Sequence, residues 1–197
     1  MKIEINLKII FVFLLFVYLK NVEIYIIFLC FIIIHELSHL FVAILIGAIP
    51  NKISINPFGI SLKLYTYGKN TFLNTMLFLI AGPASNFIII MFFLIFKIES
   101  IYSLKIIYVN IAIFCFNILP IIPLDGGRIL KEIFKKVYSV EKANRYTLLV
   151  SKIILCAITY LYSIFIIVIK NIYILFLIAY LWYLYLNEKK YIYSLQG

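Results

Sequence analysis

Charge is scarce in this chain. Of its 197 residues 13% are Asp, Glu, Lys or Arg, whereas 65% are hydrophobic. A water-soluble fold needs a polar shell, and charges this sparse, separated by runs such as IIFLCFIIIHELSHLFVAILIG, cannot supply one. Soluble enzymes and disordered tails are excluded on that ground. Cysteine is also rare. Cys30, Cys115 and Cys156 each lie in a different apolar run and read as small hydrophobes, which excludes a secreted disulfide scaffold. Acid is scarcer than base, with 8 Asp and Glu against 18 Lys and Arg and a net charge of +10. That excess does not indicate nucleic acid, because Tyr and Phe sit in apolar runs instead of alternating with cations on a soluble surface. The first apolar run, Ile9 to Leu19, lacks a small-residue cleavage site and reads as retained, not as a signal peptide. Internal repeats and low-complexity tracts are absent.

What the chain has is hydrophobicity in blocks, with a mean hydropathy of +1.12. Six apolar segments stand out, at 9–19, 24–46, 72–96, 106–124, 147–169 and 172–186. They predict an all-α polytopic membrane protein with about six transmembrane helices, forming a single transmembrane domain over 1–197. The first block has 11 residues before Lys20, where a span needs about 20, so it must recruit Ile3 to Leu7 or lie shallow. With six crossings, 14 of the 18 Lys and Arg fall on the side of the termini, which places both termini in the cytoplasm. Between the second and third blocks the pattern changes. Ile60, Leu62 and Leu64 alternate with Ser61, Lys63 and Tyr65 after a Pro57-Phe58-Gly59 turn, the signature of a short β-hairpin or strand insert. It is either a loop on the membrane surface or an edge that receives an extended substrate. The 127–146 connection, with Lys135, Lys136 and Glu141, reads as a solvated cytoplasmic linker containing a short helix.

Reactive side chains are rarer still. The chain has two histidines, His35 and His39, four apart in the second block, with Glu36 beside the first in H-E-L-S-H. On a helix, i and i+4 share a face, so both imidazoles can reach one metal, while Glu36 is rotated by about 100° toward a metal-activated water. An acid near the bilayer centre costs about 2.5 to 3.5 kcal/mol on insertion scales, so Glu36 needs a reason to be there. Ligation of one Zn2+ per chain, worth on the order of 10 kcal/mol in small structural sites, supplies it. Catalytic zinc usually keeps a third protein ligand. The chain has one aspartate, Asp125, in N-I-L-P-I-I-P-L-D-G-G-R, where Asn117, Pro120, Pro123, Gly126 and Gly127 predict that the fourth helix unwinds. Asp-Gly-Gly alone would suggest a turn or cap; beside H-E-L-S-H it suggests the third ligand.

These residues resemble the site-2 proteases, a family of intramembrane zinc metalloproteases. His35 to His39 match the family's zinc-binding motif, and Asn117 to Gly126 match its N-x-x-P-x-x-P-L-D-G motif, which implies Asp125 as third ligand. Gly82-Pro83-Ala84-Ser85-Asn86 matches a G-P-x-x-N segment, and the likeness runs from about residue 25 to 190. Among its branches the chain is most similar to the stage IV sporulation branch, on N-I-L-P-I-I-P-L-D-G-G-R-I-L, the Pro57 turn and Lys142-Ala143-Asn144-Arg145. That branch implies cleavage of a membrane-associated pro-sigma factor in the mother-cell membrane around the forespore, under membrane-embedded inhibitor proteins. Many of its members carry a C-terminal CBS domain, whereas this sequence stops at Gly197.

The expected roles follow. His35, His39 and Asp125 hold the metal, and Glu36 takes a proton from the attacking water and passes it to the leaving amine. Asn117 hydrogen-bonds the oxyanion or substrate backbone, or else closes the unwound helix end. Ile60, Leu62 and Leu64, with Pro120 and Pro123 of the unwound stretch, are the candidate substrate-binding residues. Two other functions fit a membrane chain. A transporter or channel subunit would spread ionisable groups along a path, and a non-catalytic family member would bind a membrane partner without cutting it.

Overall fold

In the computed structural model the described residues are 2–5, 22–47, 49–56, 59–65, 71–169 and 172–194. The apolar block 9–19 and the Pro57-Phe58 part of the expected turn lie outside them. In chain order the elements are β1 Lys2–Ile5, α1 Val22–Leu45, β2 Ile49–Asn56, β3 Gly59–Tyr65, α2 Phe72–Ile95, α3 Ser103–Ile118, α4 Asp125–Val137, α5 Val140–Ile169 and α6 Ile172–Ser194. They fall into two compact units, residues 1–116 and 117–197.

Among the described residues three helices are long and apolar enough to cross a membrane: α1, α2 and the Val140–Ile164 part of α5. Six crossings were expected; the block 9–19 lies outside the described residues, and for the fourth and sixth blocks the difference has local causes. α3 has 16 residues, about 24 Å of helix, and so falls short of a hydrocarbon core of about 30 Å. It stops at Ile118 instead of running to 124, because Pro120 disfavours helical backbone in the residue before it. α6 follows the sixth block but continues into Asn187-Glu188-Lys189-Lys190, where charge interrupts the apolar run.

In the first unit α1 packs along α2, and a three-stranded sheet in the order β1-β2-β3 lies beside α1. β1 and β2 are parallel, while β2 and β3 are antiparallel, with Ile53 opposite Leu62 and Ile55 opposite Ile60. The helices are arranged with polar groups inward. α1 buries Tyr25, Ile32, His35, His39 and Ala43, one stripe at three- and four-residue spacing, and exposes Phe41, Ile44 and Leu45. α2 buries Leu79, Gly82, Pro83, Asn86 and Ile90 and exposes Ile88, Leu94 and Ile95. Outward-facing Ile, Leu and Phe are what a helix in lipid presents. A small core of Ile32, Val109 and Ile113, backed by Ile27, Phe28 and Phe31, joins α1 to α3. α2 starts at an N-cap, Thr71, whose hydroxyl accepts from the Asn74 N–H at 3.2 Å. Pro83 lies inside α2 and cannot donate to the turn before it.

In the second unit the 118–124 segment folds back over the start of α4. A Cβ on Gly126 would lie 2.1 Å from the Ile118 carbonyl oxygen, and one on Gly127 2.5 Å from the Ile121 carbonyl carbon, so the glycine pair permits backbone-to-backbone packing. Ser151 of α5 holds the segment: its hydroxyl accepts the Ile122 N–H at 3.1 Å and donates to the Thr147 carbonyl at 2.8 Å. α4 is amphipathic, with Lys135 and Lys136 in its last turn, where they complement the helix dipole. Burial holds Lys131 of this helix below the ordinary lysine range, with Lys135 adding to the effect. The expected linker is thus largely helical, α4 and the start of α5 meeting at Tyr138 and Ser139.

Candidate metal centre

His35 and His39 sit one turn apart on α1, both buried, with their Nε2 atoms 3.3 Å apart. Two nitrogens each about 2.0 to 2.1 Å from one tetrahedral ion would stand about 3.3 Å apart. The other ring nitrogens point away into fixed partners. His39 Nδ1 lies 2.7 Å from the Phe78 carbonyl of α2. A carbonyl only accepts, so this nitrogen carries the proton and Nε2 keeps its lone pair.

His35 is oriented through a longer chain. Its Nδ1 lies 2.7 Å from Asn86 Oδ1, Asn86 Nδ2 donates to Asn110 Oδ1 at 2.8 Å, and Asn110 Nδ2 donates to the Ile106 carbonyl at 2.9 Å. The terminal carbonyl sets the direction of the whole chain. It requires the amide nitrogen of Asn110 to face it, which turns Oδ1 to Asn86, which turns the oxygen of Asn86 to His35. His35 Nδ1 therefore donates, and both Nε2 lone pairs face the same point. Two lone pairs at 3.3 Å repel unless a cation lies between them, so the donor set fits a divalent metal.

Space at that point is kept by Gly82. A Cβ there would fall 2.2 Å from His39 Nε2 and 2.6 Å from His35 Nε2, inside any tolerable contact. Glu36, half-buried and one residue on from His35, is rotated from it by about 100° around α1.

The other predicted residues are placed as follows. Asp125 is buried and is the first residue of α4, with Leu124 at the N-cap position, so it is a first-turn acid and not a cap. Asn117 is half-buried in the penultimate position of α3, and Pro120 and Pro123 are half-buried in the segment that follows. The helix breaks after Ile118, one residue past Asn117. Ile60, Leu62 and Leu64 belong to β3, the strand at one side of the sheet, near α1. Asn110 was missed in the sequence. Its signal was a lone amide in the apolar run IIYVNIAIF, the kind of residue that is costly in a membrane helix without a partner, and the structure buries it fully. His35, His39, Asn86 and Asn110, four of the buried polar side chains described in the first unit, form one connected cluster, whereas a transport route would string such groups along the helices.

Residues 8–122 match the profile of the Peptidase M50B-like family, and residues 97–161 that of Peptidase family M50. The chain is 27% identical over 128 residues to stage IV sporulation protein FB of Bacillus subtilis, a match covering 59% of this chain and 42% of that protein. It is 33% identical over 123 residues to the zinc metalloprotease MJ0392 of Methanocaldococcus jannaschii, covering 58% of this chain and 35% of that one. The chain thus spans less than half the length of these curated relatives. The solved structure of the site-2 protease from Methanocaldococcus jannaschii superposes with a TM-score of 0.73 at 24% identity, over 94% of this chain and 89% of that one, which shows a shared fold.

Proposed function

The chain belongs to the M50 family of peptidases, and from that premise we propose that it is an intramembrane zinc metalloprotease that hydrolyses a peptide bond of a membrane-associated protein. The observation that carries the proposal is the convergence of two imidazole lone pairs, 3.3 Å apart, on a space that only a glycine leaves open. His35, His39 and Asp125 would hold one zinc per chain, which would supply Lewis-acid activation of a water molecule.

Glu36 accepts the proton of the attacking water and returns it to the leaving amine. Asn117 donates a hydrogen bond to the oxyanion or to the substrate backbone. A peptide inside a helix has its carbonyls already bonded, so substrate must be held extended before it is cut. The edge of β3, through Ile60, Leu62 and Leu64, receives it as an added strand, and Pro120 and Pro123 are further substrate-binding residues. Both termini face the cytoplasm in this reading, which the distribution of Lys and Arg over six crossings supports. Likeness to the sporulation protein supports a finer reading, in which the substrate is a pro-sigma factor, the site is the mother-cell membrane around the forespore, and membrane-embedded inhibitor proteins are partners.

The test is zinc content and cleavage of a membrane-associated pro-protein, measured together on purified variants. Glu36→Gln retains about one zinc and loses nearly all proteolysis, because it removes the base and spares the ligands. His39→Ala and Asp125→Ala lose metal as well. Cleavage at the wild-type rate by Glu36→Gln would overturn the mechanism.

A further inference from the structure

The hydrogen-bond chain His35–Asn86–Asn110–Ile106 ends on a group that cannot reverse, and this gives Asn110 a task at a distance. We infer that Asn110 is a positioning residue for metal binding: it holds the Asn86 amide in the one orientation that leaves the His35 Nε2 lone pair available. The inference rests on the assignment of His35 as a zinc ligand and deepens it.

Asn86 is symmetric in shape and asymmetric in chemistry. With its oxygen toward His35, it accepts the Nδ1 proton; flipped by 180°, it would present an NH2 donor to that nitrogen and favour the tautomer with the proton on Nε2, which cannot ligate. His35 alone does not decide between the two, since either tautomer satisfies it. Asn110 does. Its Nδ2 is committed to the Ile106 carbonyl at 2.9 Å, one turn back on α3, so only Oδ1 is offered to Asn86, at 2.8 Å, and only an NH2 can meet it. Asn86 and Asn110 are fully buried, so no solvent competes for these bonds. The residue sits 24 positions from Asn86 on a different helix, and it touches neither histidine in this network.

The arrangement separates orientation from packing in a testable way. Asn110→Leu removes the acceptor and keeps the branched shape at somewhat greater bulk; Asn86 is then free to turn, and zinc affinity falls by about 10- to 100-fold, the usual effect of losing the outer hydrogen bonding that orients a ligand. An aspartate at 86 needs no such guide, because both carboxylate oxygens accept. Asn86→Asp combined with Asn110→Leu therefore restores affinity to within about threefold of wild type. A merely structural role for Asn110 would not be rescued from position 86. Affinity is read by competition of the detergent-solubilised full chain with a chelator, using zinc alone as probe, and melting of the metal-free variants checks the fold. If Asn110→Leu does not fold, Asn110→Ala, which adds no bulk, takes its place in the same pair. Wild-type zinc affinity in the single variant, or a double variant as weak as the single, overturns the inference. His35→Ala serves as the separate control: if it binds zinc as wild type does, the ligand assignment itself fails and the inference with it, a result distinct from an unaffected Asn110→Leu.

Discussion

The Cβ that Gly82 lacks would stand 2.2 Å from His39 Nε2, in the space toward which both imidazoles direct their lone pairs. Gly82 lies in mid-helix, where glycine costs about 0.5 to 1 kcal/mol relative to alanine. Alanine would stabilise an isolated helix, so the glycine is explained by the close approach of α1.

Gly82→Ala is expected to abolish stoichiometric zinc binding, leaving less than about a tenth of an equivalent, since the methyl group and an ion compete for one volume. Elemental analysis after dialysis against a zinc buffer checks this. Wild-type zinc content in Gly82→Ala would show that the imidazoles converge elsewhere.

Ser151→Ala acts in the second unit. It leaves the N–H of Ile122, a residue almost fully buried, without its 3.1 Å acceptor. An orphaned buried donor costs about 1 to 3 kcal/mol. Unfolding in detergent should register a loss of that size, with the segment before Asp125 becoming more accessible to protease.

Leu62→Pro tests the strand edge. Proline removes a backbone donor from β3 and disturbs its pairing with Ile53 of β2. Cleavage should fall by about tenfold or more while zinc content and membrane insertion stay unchanged, and Leu62→Ala should be milder because it keeps the backbone. A proline variant that cuts at the wild-type rate would move substrate binding to the 117–124 stretch.

Orientation is tested by single cysteines in a background lacking Cys30, Cys115 and Cys156. Cysteine at exposed Lys136 or Lys189 should be shielded from an impermeant reagent added outside cells, and cysteine at exposed Glu99 should react. External labelling at Lys136 would reverse the orientation.

Most of the membrane character and half of the metal centre were legible without coordinates, because both are local. Hydrophobic blocks show in composition over about 20 residues, and the i, i+4 spacing of His35 and His39 dictates a shared helical face wherever the helix lies. The break before Asp125 was legible too, through Pro120 and Pro123, although its position after Ile118 and the start of α4 at Asp125 were not. Proline marks that a helix must stop, not the residue at which it does. Tertiary structure alone decided the partners: Phe78 for His39, Asn86 and Asn110 for His35, and Gly82 as the residue whose missing side chain leaves room between them. Each of these pairs joins residues of different helices, 24 to 51 positions apart. Periodicity says which face of a helix is buried, but the height and rotation at which two faces meet depend on how whole side-chain surfaces interlock, and no single segment contains that information.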